Sequence, residues 1–69
     1  MSEFFRWYNM FKARNPLLSF ELKSLPNKKN YSIEVSNAGT LIFNTFGEDL
    51  ELMFALAKSS LLMHKKELI

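Results

Sequence analysis

The sequence predicts an α+β fold in which a three-stranded antiparallel meander carries two helices on one face, in the order α-β-β-β-α. Near each end of the chain, apolar residues recur every three to four positions, which is the spacing of a helix with one buried stripe. Between the ends they alternate with polar residues, which is the spacing of strands with one buried face. Short segments rich in turn residues separate these strands, so we expect neighbours to pair antiparallel.

The first helix is predicted over residues 2–14. Its apolar stripe consists of Phe4, Trp7, Tyr8 and Phe11. Ser2 is a suitable N-cap, and Pro16 ends the helix because proline disfavours helical geometry in the residue before it. We interpret the stripe as core, since a small domain needs large side chains under its helices, with partial use as a recognition surface as the alternative. Phe5 and Met10 flank the stripe and are expected at the surface.

Three alternating segments follow, and they predict three strands. The inward residues of the first two are Leu18, Phe20 and Leu22, then Tyr31, Ile33 and Val35. A loop over residues 26–30 separates these strands. Asn37-Ala38-Gly39 then supplies a tight connection to a third strand over residues 40–44.

A second helix is predicted from the capping-box pattern of Thr45 and Glu48 to about Glu67. Its sheet-facing residues are expected to be Leu50, Phe54, Ala57, Leu61 and Leu68. A second apolar strip, nearly opposite, consists of Leu52, Leu56 and Met63. This strip must be covered by the first helix or by another chain.

Composition limits the class of protein. The length of 69 residues predicts one domain, residues 1–69, and 48% hydrophobic residues exclude a disordered chain. No cysteine is present, so disulfides and cysteine-bound zinc are excluded. No apolar run is long enough to span a bilayer and no signal-peptide pattern opens the chain, so we expect a cytoplasmic protein that does not enter a membrane.

Catalytic, metal and cofactor sites are not predicted. His64 is the only histidine, and a transition-metal site needs more ligands than one imidazole. Ser60 lies four residues before it, but no nucleophile elbow or oxyanion-hole loop accompanies the pair. With only two glycines in the chain, no phosphate-binding loop can form. We therefore expect a protein that is not an enzyme and that uses no cofactor.

A nucleic-acid-binding regulator is the alternative function. Its basic residues would be Lys23, Lys28 and Lys29. In topology alone, the order α-β-β-β-α resembles the double-stranded RNA-binding domain, which implies binding through a loop between the first two strands and lysines at the last helix. Here that helix begins instead with Glu48, Asp49 and Glu51, which would repel a phosphate backbone.

By elimination, the sequence favours a protein-binding regulator or inhibitor that occupies a site on a partner protein. Small regulators encoded by phages and other mobile elements are of this size. The expected interface, with a partner or with a second copy in a homodimer, consists of Leu52, Leu56, Met63, Phe5 and Met10.

Overall fold

Two helices and three strands follow one another as the sequence predicts, and the α+β fold class is confirmed. The structure is a computed structural model and describes residues 2–25 and 30–69. Its elements are α1 (Ser2–Arg14), β1 (Leu18–Leu25), β2 (Asn30–Asn37), β3 (Thr40–Gly47), α2 (Leu50–Met63) and a short 3₁₀ turn (Lys65–Glu67). The strands form one antiparallel sheet in the order β1-β2-β3, and the helices lie on one of its faces.

The bounds of α1 match the prediction, and side-chain chemistry explains its end. The Asn15 amide nitrogen donates to the Phe11 carbonyl at 3.0 Å, and the Asn15 backbone N–H donates to the Lys12 carbonyl at 3.0 Å. These bonds satisfy carbonyls that a helix leaves unpaired at its C-terminus. Pro16 follows directly and prevents another turn. The predicted N-cap side chain of Ser2 lies outside what the structure describes.

The central strand β2 sets the register of the sheet. Ile33 lies between Leu22 and Thr45, and both Ile33 and Val35 are fully buried. At the other end of β2, the two turn residues Ala38 and Gly39 have φ angles of 52° and 83°. Two successive positive φ angles define a type I′ hairpin, whose twist matches that of the strands. Of the loop predicted over residues 26–30, residues 26–29 lie outside the described residues and Asn30 belongs to β2.

The core is built around Phe4. Its ring stacks on Phe54 of α2 at 4.7 Å between centroids and lies 5.6 Å from Phe20 of β1. It also lies 6.1 Å from Tyr8, one turn further along α1. The fully or nearly buried core side chains are Phe4, Tyr8, Phe11, Leu18, Ile33, Val35, Met53, Phe54, Ala57 and Leu61. One aromatic ring thus joins both helices to the sheet.

The capping box predicted at Thr45 and Glu48 is wrong. Thr45 belongs to β3, where it pairs with Ile33, and α2 begins only at Leu50. The N-cap is Asp49, whose carboxylate accepts the Leu52 backbone N–H at 3.1 Å. Threonine is favoured in strands as well as at helix starts, and the sheet pairing prevails here.

The predicted end of the second helix is also too late. The α-helix stops at Met63, where the His64 backbone N–H donates to the Ser60 carbonyl at 3.0 Å. The chain then tightens into the 3₁₀ turn before Leu68 packs on the core. The side chain of Asn37 holds Ile69, the residue after Leu68. The Asn37 side-chain oxygen accepts the Ile69 N–H at 2.8 Å, and its amide nitrogen donates to the Ile69 carbonyl at 3.2 Å.

The hairpin geometry predicts that Ala38→Asn stabilises the protein. Alanine in the left-handed region is strained, whereas Asn-Gly is the preferred pair for a type I′ turn. We expect the free energy of unfolding to rise by about 0.5–1 kcal/mol in urea denaturation. Gly39→Ala, at the neighbouring position, is the matched control and should lower it. A loss of stability in Ala38→Asn would contradict the assigned turn.

The observed cap predicts that Asp49→Ala destabilises the protein by about 1 kcal/mol, because a backbone N–H of α2 loses its partner. Glu48→Ala is the control, since Glu48 is exposed and lies outside the observed cap. We expect it to change the free energy of unfolding by less than about 0.5 kcal/mol. Equal losses in the two variants, measured by urea denaturation, would instead favour a start of the helix near Glu48.

Candidate protein-binding surface

One side of α2 is apolar and exposed. The side facing the sheet is buried through Met53, Phe54, Ala57 and Leu61. The exposed residues, which we call the α2 strip, are Leu52, Leu56 and Met63, with exposed fractions of 56%, 45% and 80%. Met53 is a core residue that the sequence analysis missed, because it lies at the border between the predicted buried face and the predicted strip.

The first helix does not cover the α2 strip. The flank of α2 that meets α1 is a different one, marked by Lys58, whose ammonium lies 5.2 Å from the centre of the Trp7 ring. Glu51 and Ala55 line the same groove between the helices. The strip therefore projects from α2 away from both α1 and the sheet.

The other two predicted interface residues do not join the strip. Phe5 is half-buried, and its ring lies 5.4 Å from those of Phe4 and Phe54. The expectation that it is exposed is thus wrong in part, because packing between α1 and α2 holds it. Met10 is exposed, but it lines the groove between the helices together with Leu62, on the α1 side of α2.

Strand β3 carries exposed apolar residues that the sequence analysis did not single out. Phe46 is 76% exposed and Leu41 is 51% exposed. They lie on the outer face of the sheet, where they pair with Ser32 and Ser36 of β2. The exposure of Phe46 could have been predicted from its position two residues after the polar Asn44, because residues two apart lie on the same face of a strand.

Of the three basic residues predicted for nucleic-acid binding, the structure describes Lys23. The Lys23 ammonium lies 3.3 Å from the Glu21 carboxylate on the outer face of the sheet. Glu34 stands directly opposite Glu21 in the neighbouring strand, which adds negative charge to this surface. Lys28 and Lys29 lie outside the described residues. Over residues 2–25 and 30–69, the outer face of the sheet thus presents one lysine beside two glutamates rather than the concentrated positive charge that phosphate binding needs.

His64 is not placed beside other metal ligands. Its Nδ1 lies 3.2 Å from an oxygen of Glu67, the neighbour three residues on. Across residues 2–25 and 30–69, no group of three histidine or acidic side chains converges on a common point. His64 is partly exposed and forms the C-terminal cap of α2.

Comparisons with protein-family models, curated proteins and solved structures find no match for this chain. Among the helices that the structure describes, none has the length and apolar character required to cross a membrane.

The Tyr8 hydroxyl is the one buried side-chain group without a hydrogen-bond partner in the described part of the chain. Burial raises the pKa of Tyr8 above its ordinary value, because desolvation penalises the phenolate. The hydroxyl is enclosed between α1 and the sheet, where the Tyr8 ring lies 5.2 Å from that of Phe20. We therefore assign Tyr8 to the core.

This burial predicts the behaviour of Tyr8→Phe. At neutral pH the variant should be as stable as the wild type or more stable by up to about 1 kcal/mol, since it removes an unpaired polar group. Above about pH 10 the unfolded tyrosine ionises while the folded one stays neutral, so the wild type loses stability as pH rises and the variant loses less. Urea denaturation at pH 7 and pH 10.5 measures both effects, with Tyr31→Phe as control. A clear loss of stability at pH 7 would show that the hydroxyl is hydrogen-bonded.

Proposed function

We propose that this chain is a non-enzymatic protein-binding regulator or inhibitor that inserts the α2 strip into an apolar site on a partner protein. The observation that carries the proposal is the position of the strip. Leu52, Leu56 and Met63 project from α2 on a side that neither α1 nor the sheet covers. Contiguous exposed apolar residues on a folded domain mark contact sites, whereas isolated ones do not.

The spacing of the strip favours one mode of contact. Leu52, Leu56 and Met63 follow one side of the helix at intervals of four and seven residues, with the exposed Ser59 between the last two. This is the pattern of a helix that lies in a hydrophobic groove and anchors itself through one apolar side. Fully burying each such side chain contributes roughly 1.5–3 kcal/mol before the costs of association. We therefore expect the partner to present an apolar groove about three helical turns long.

We propose the cytoplasm as the location; disulfides are rare there, and a chain without cysteine forms none. Short cytoplasmic chains that act by contact alone include regulators and inhibitors encoded by phages and other mobile elements. The size of this chain is in keeping with that class.

The test is capture of a partner by the tagged protein from a nuclease-treated host-cell lysate, at moderate and at high salt, read by mass spectrometry. Leu56→Glu should abolish capture, because burying an unpaired carboxylate costs about 3 kcal/mol, more than a hundredfold in affinity. Leu62→Glu is the matched control. Leu62 is 50% exposed on the same helix but on the flank towards α1.

The proposal requires a protein that is retained by the wild type and by Leu62→Glu at high salt and is lost with Leu56→Glu. Capture that survives Leu56→Glu would exclude the α2 strip as the contact. Binding that disappears after nuclease treatment or at high salt would instead indicate phosphate contacts and favour the nucleic-acid alternative.

A further inference from the structure

A groove runs between α1 and α2 along both helices. Glu3 and Glu51, near the starts of the two helices, line a cavity of about 360 Å³ in this groove. Arg14, the last residue of α1, and Lys65, just after α2, line a second cavity of about 180 Å³. The two helices therefore run in the same direction, and the groove follows them for about three turns, roughly 16 Å.

The charged side chains of the groove have opposite signs at its two ends. Glu3 and Glu51 make one end acidic, whereas Arg14 and Lys65 make the other end basic. Lys58 lies between the two cavities and extends the basic part to the middle of the groove. Over residues 2–25 and 30–69, none of these five side chains forms an ion pair. Charges along a groove that have no partner within the fold favour a ligand with the opposite pattern.

Between its charged ends the groove is apolar. Met10 and Leu62 line it with exposed fractions of 66% and 50%, beside the half-buried Trp7 ring. The stacked rings of Phe4 and Phe54 line the acidic end. An apolar floor of about three turns fits one side of an amphipathic helix, whose apolar residues recur every three to four positions.

Charge also sets the direction in which a helix would lie in the groove. Helices favour acidic residues in the first turn and basic residues in the last turn. An acidic first turn fits beside Arg14 and Lys65, and a basic last turn fits beside Glu3 and Glu51. A helix in this position runs antiparallel to both α1 and α2, so its dipole also opposes theirs.

We propose that the groove binds an amphipathic helical segment of a partner protein, with an acidic first turn, an apolar middle and a basic last turn, antiparallel to α1 and α2. The groove lies on another side of α2 than the α2 strip, and the inference does not rest on the function proposed above. A contact of about three turns is smaller than a standard interface, so we expect a dissociation constant of about 0.1–1 mM.

The test is a titration of the isotope-labelled full chain with a synthetic helical peptide of about 14 residues, followed by residue-resolved NMR. The peptide carries glutamates in its first turn, leucines at helical spacing on one side, and lysines in its last turn. A second peptide keeps the leucines and exchanges the glutamates and lysines. We expect signals of the groove, including those of Met10 and Leu62, to shift with the first peptide, which should bind roughly tenfold more tightly than the second.

The direction of binding is measured with a nitroxide label at the N-terminus of the first peptide. The label should broaden the signals of Arg14 and Lys65 more strongly than those of Glu3 and Glu51. The opposite order would show a parallel helix and would overturn the proposed direction.

A charge reversal in the groove measures the role of its basic end. Arg14→Glu should weaken binding of the first peptide roughly tenfold. Lys12→Glu is the matched control, because it makes the same change of charge in the last turn of α1 but lies on the opposite side of that helix. It should leave binding unchanged, and circular dichroism establishes that both variants are folded.

Three outcomes would overturn the proposal: no shift of groove signals at about 2 mM peptide, equal affinity for the two peptides, or an equal loss of affinity in Lys12→Glu. So would shifts of Met10 and Leu62 that depend on the concentration of the protein alone, since a second copy would then occupy the groove. Leu56→Glu changes the α2 strip and should bind the first peptide as the wild type does. The groove and the strip can therefore fail separately.

Discussion

The stacking of Phe4 on Phe54 is the contact on which the rest of the structure depends. The ring of Phe4 touches α2 and, through Phe20, the edge strand β1, so it fixes both helices on the same face of the sheet. Within residues 2–25 and 30–69, no further helix or strand forms a second layer over the other surfaces. Small domains bury only about 60% of the surface that their unfolded chains expose. Because Phe4 fixes both helices on one face of the sheet, the other face of the sheet and the outer side of α2 stay uncovered.

Two of those uncovered surfaces are apolar or uncharged, and they lie on different elements. The α2 strip is a side-chain surface that suits an apolar groove, whereas the edge of β3 is a backbone surface that suits another strand. The remaining surface is of another kind. On the outer face of the sheet, the Lys23 ammonium pairs with Glu21 and Glu34 adds a further negative charge, so this part of the surface favours water.

Much of the fold could be predicted because its signals are local. The aromatic spacing of α1, its end at Pro16 and the alternation around Ile33 each depend on neighbours in sequence, and the structure agrees with them. The prediction was wrong at Thr45, where a local helix-start pattern competes with pairing to a strand that is distant in sequence. Pairing of this kind depends on the sheet as a whole, which a capping pattern does not report.

The candidate surface was harder to predict than the fold. Leu52, Leu56 and Met63 were identified from the helical period, because a helix that is apolar on two sides must expose one of them or cover it. Phe5 was misplaced in part, since its burial depends on the packing of α1 against α2. The free edge of β3 was missed, because which strand lies at an edge follows from topology and not from any one segment.

The most direct measurement of the proposal that the α2 strip is a contact surface is amide hydrogen exchange, followed residue by residue in the free protein and in its complex with a captured partner. We expect added protection in the complex over Leu50–Met63, while Leu18–Leu25 exchanges at the same rate in both states. Unchanged exchange over Leu50–Met63, or added protection in β1 alone, would contradict the proposal.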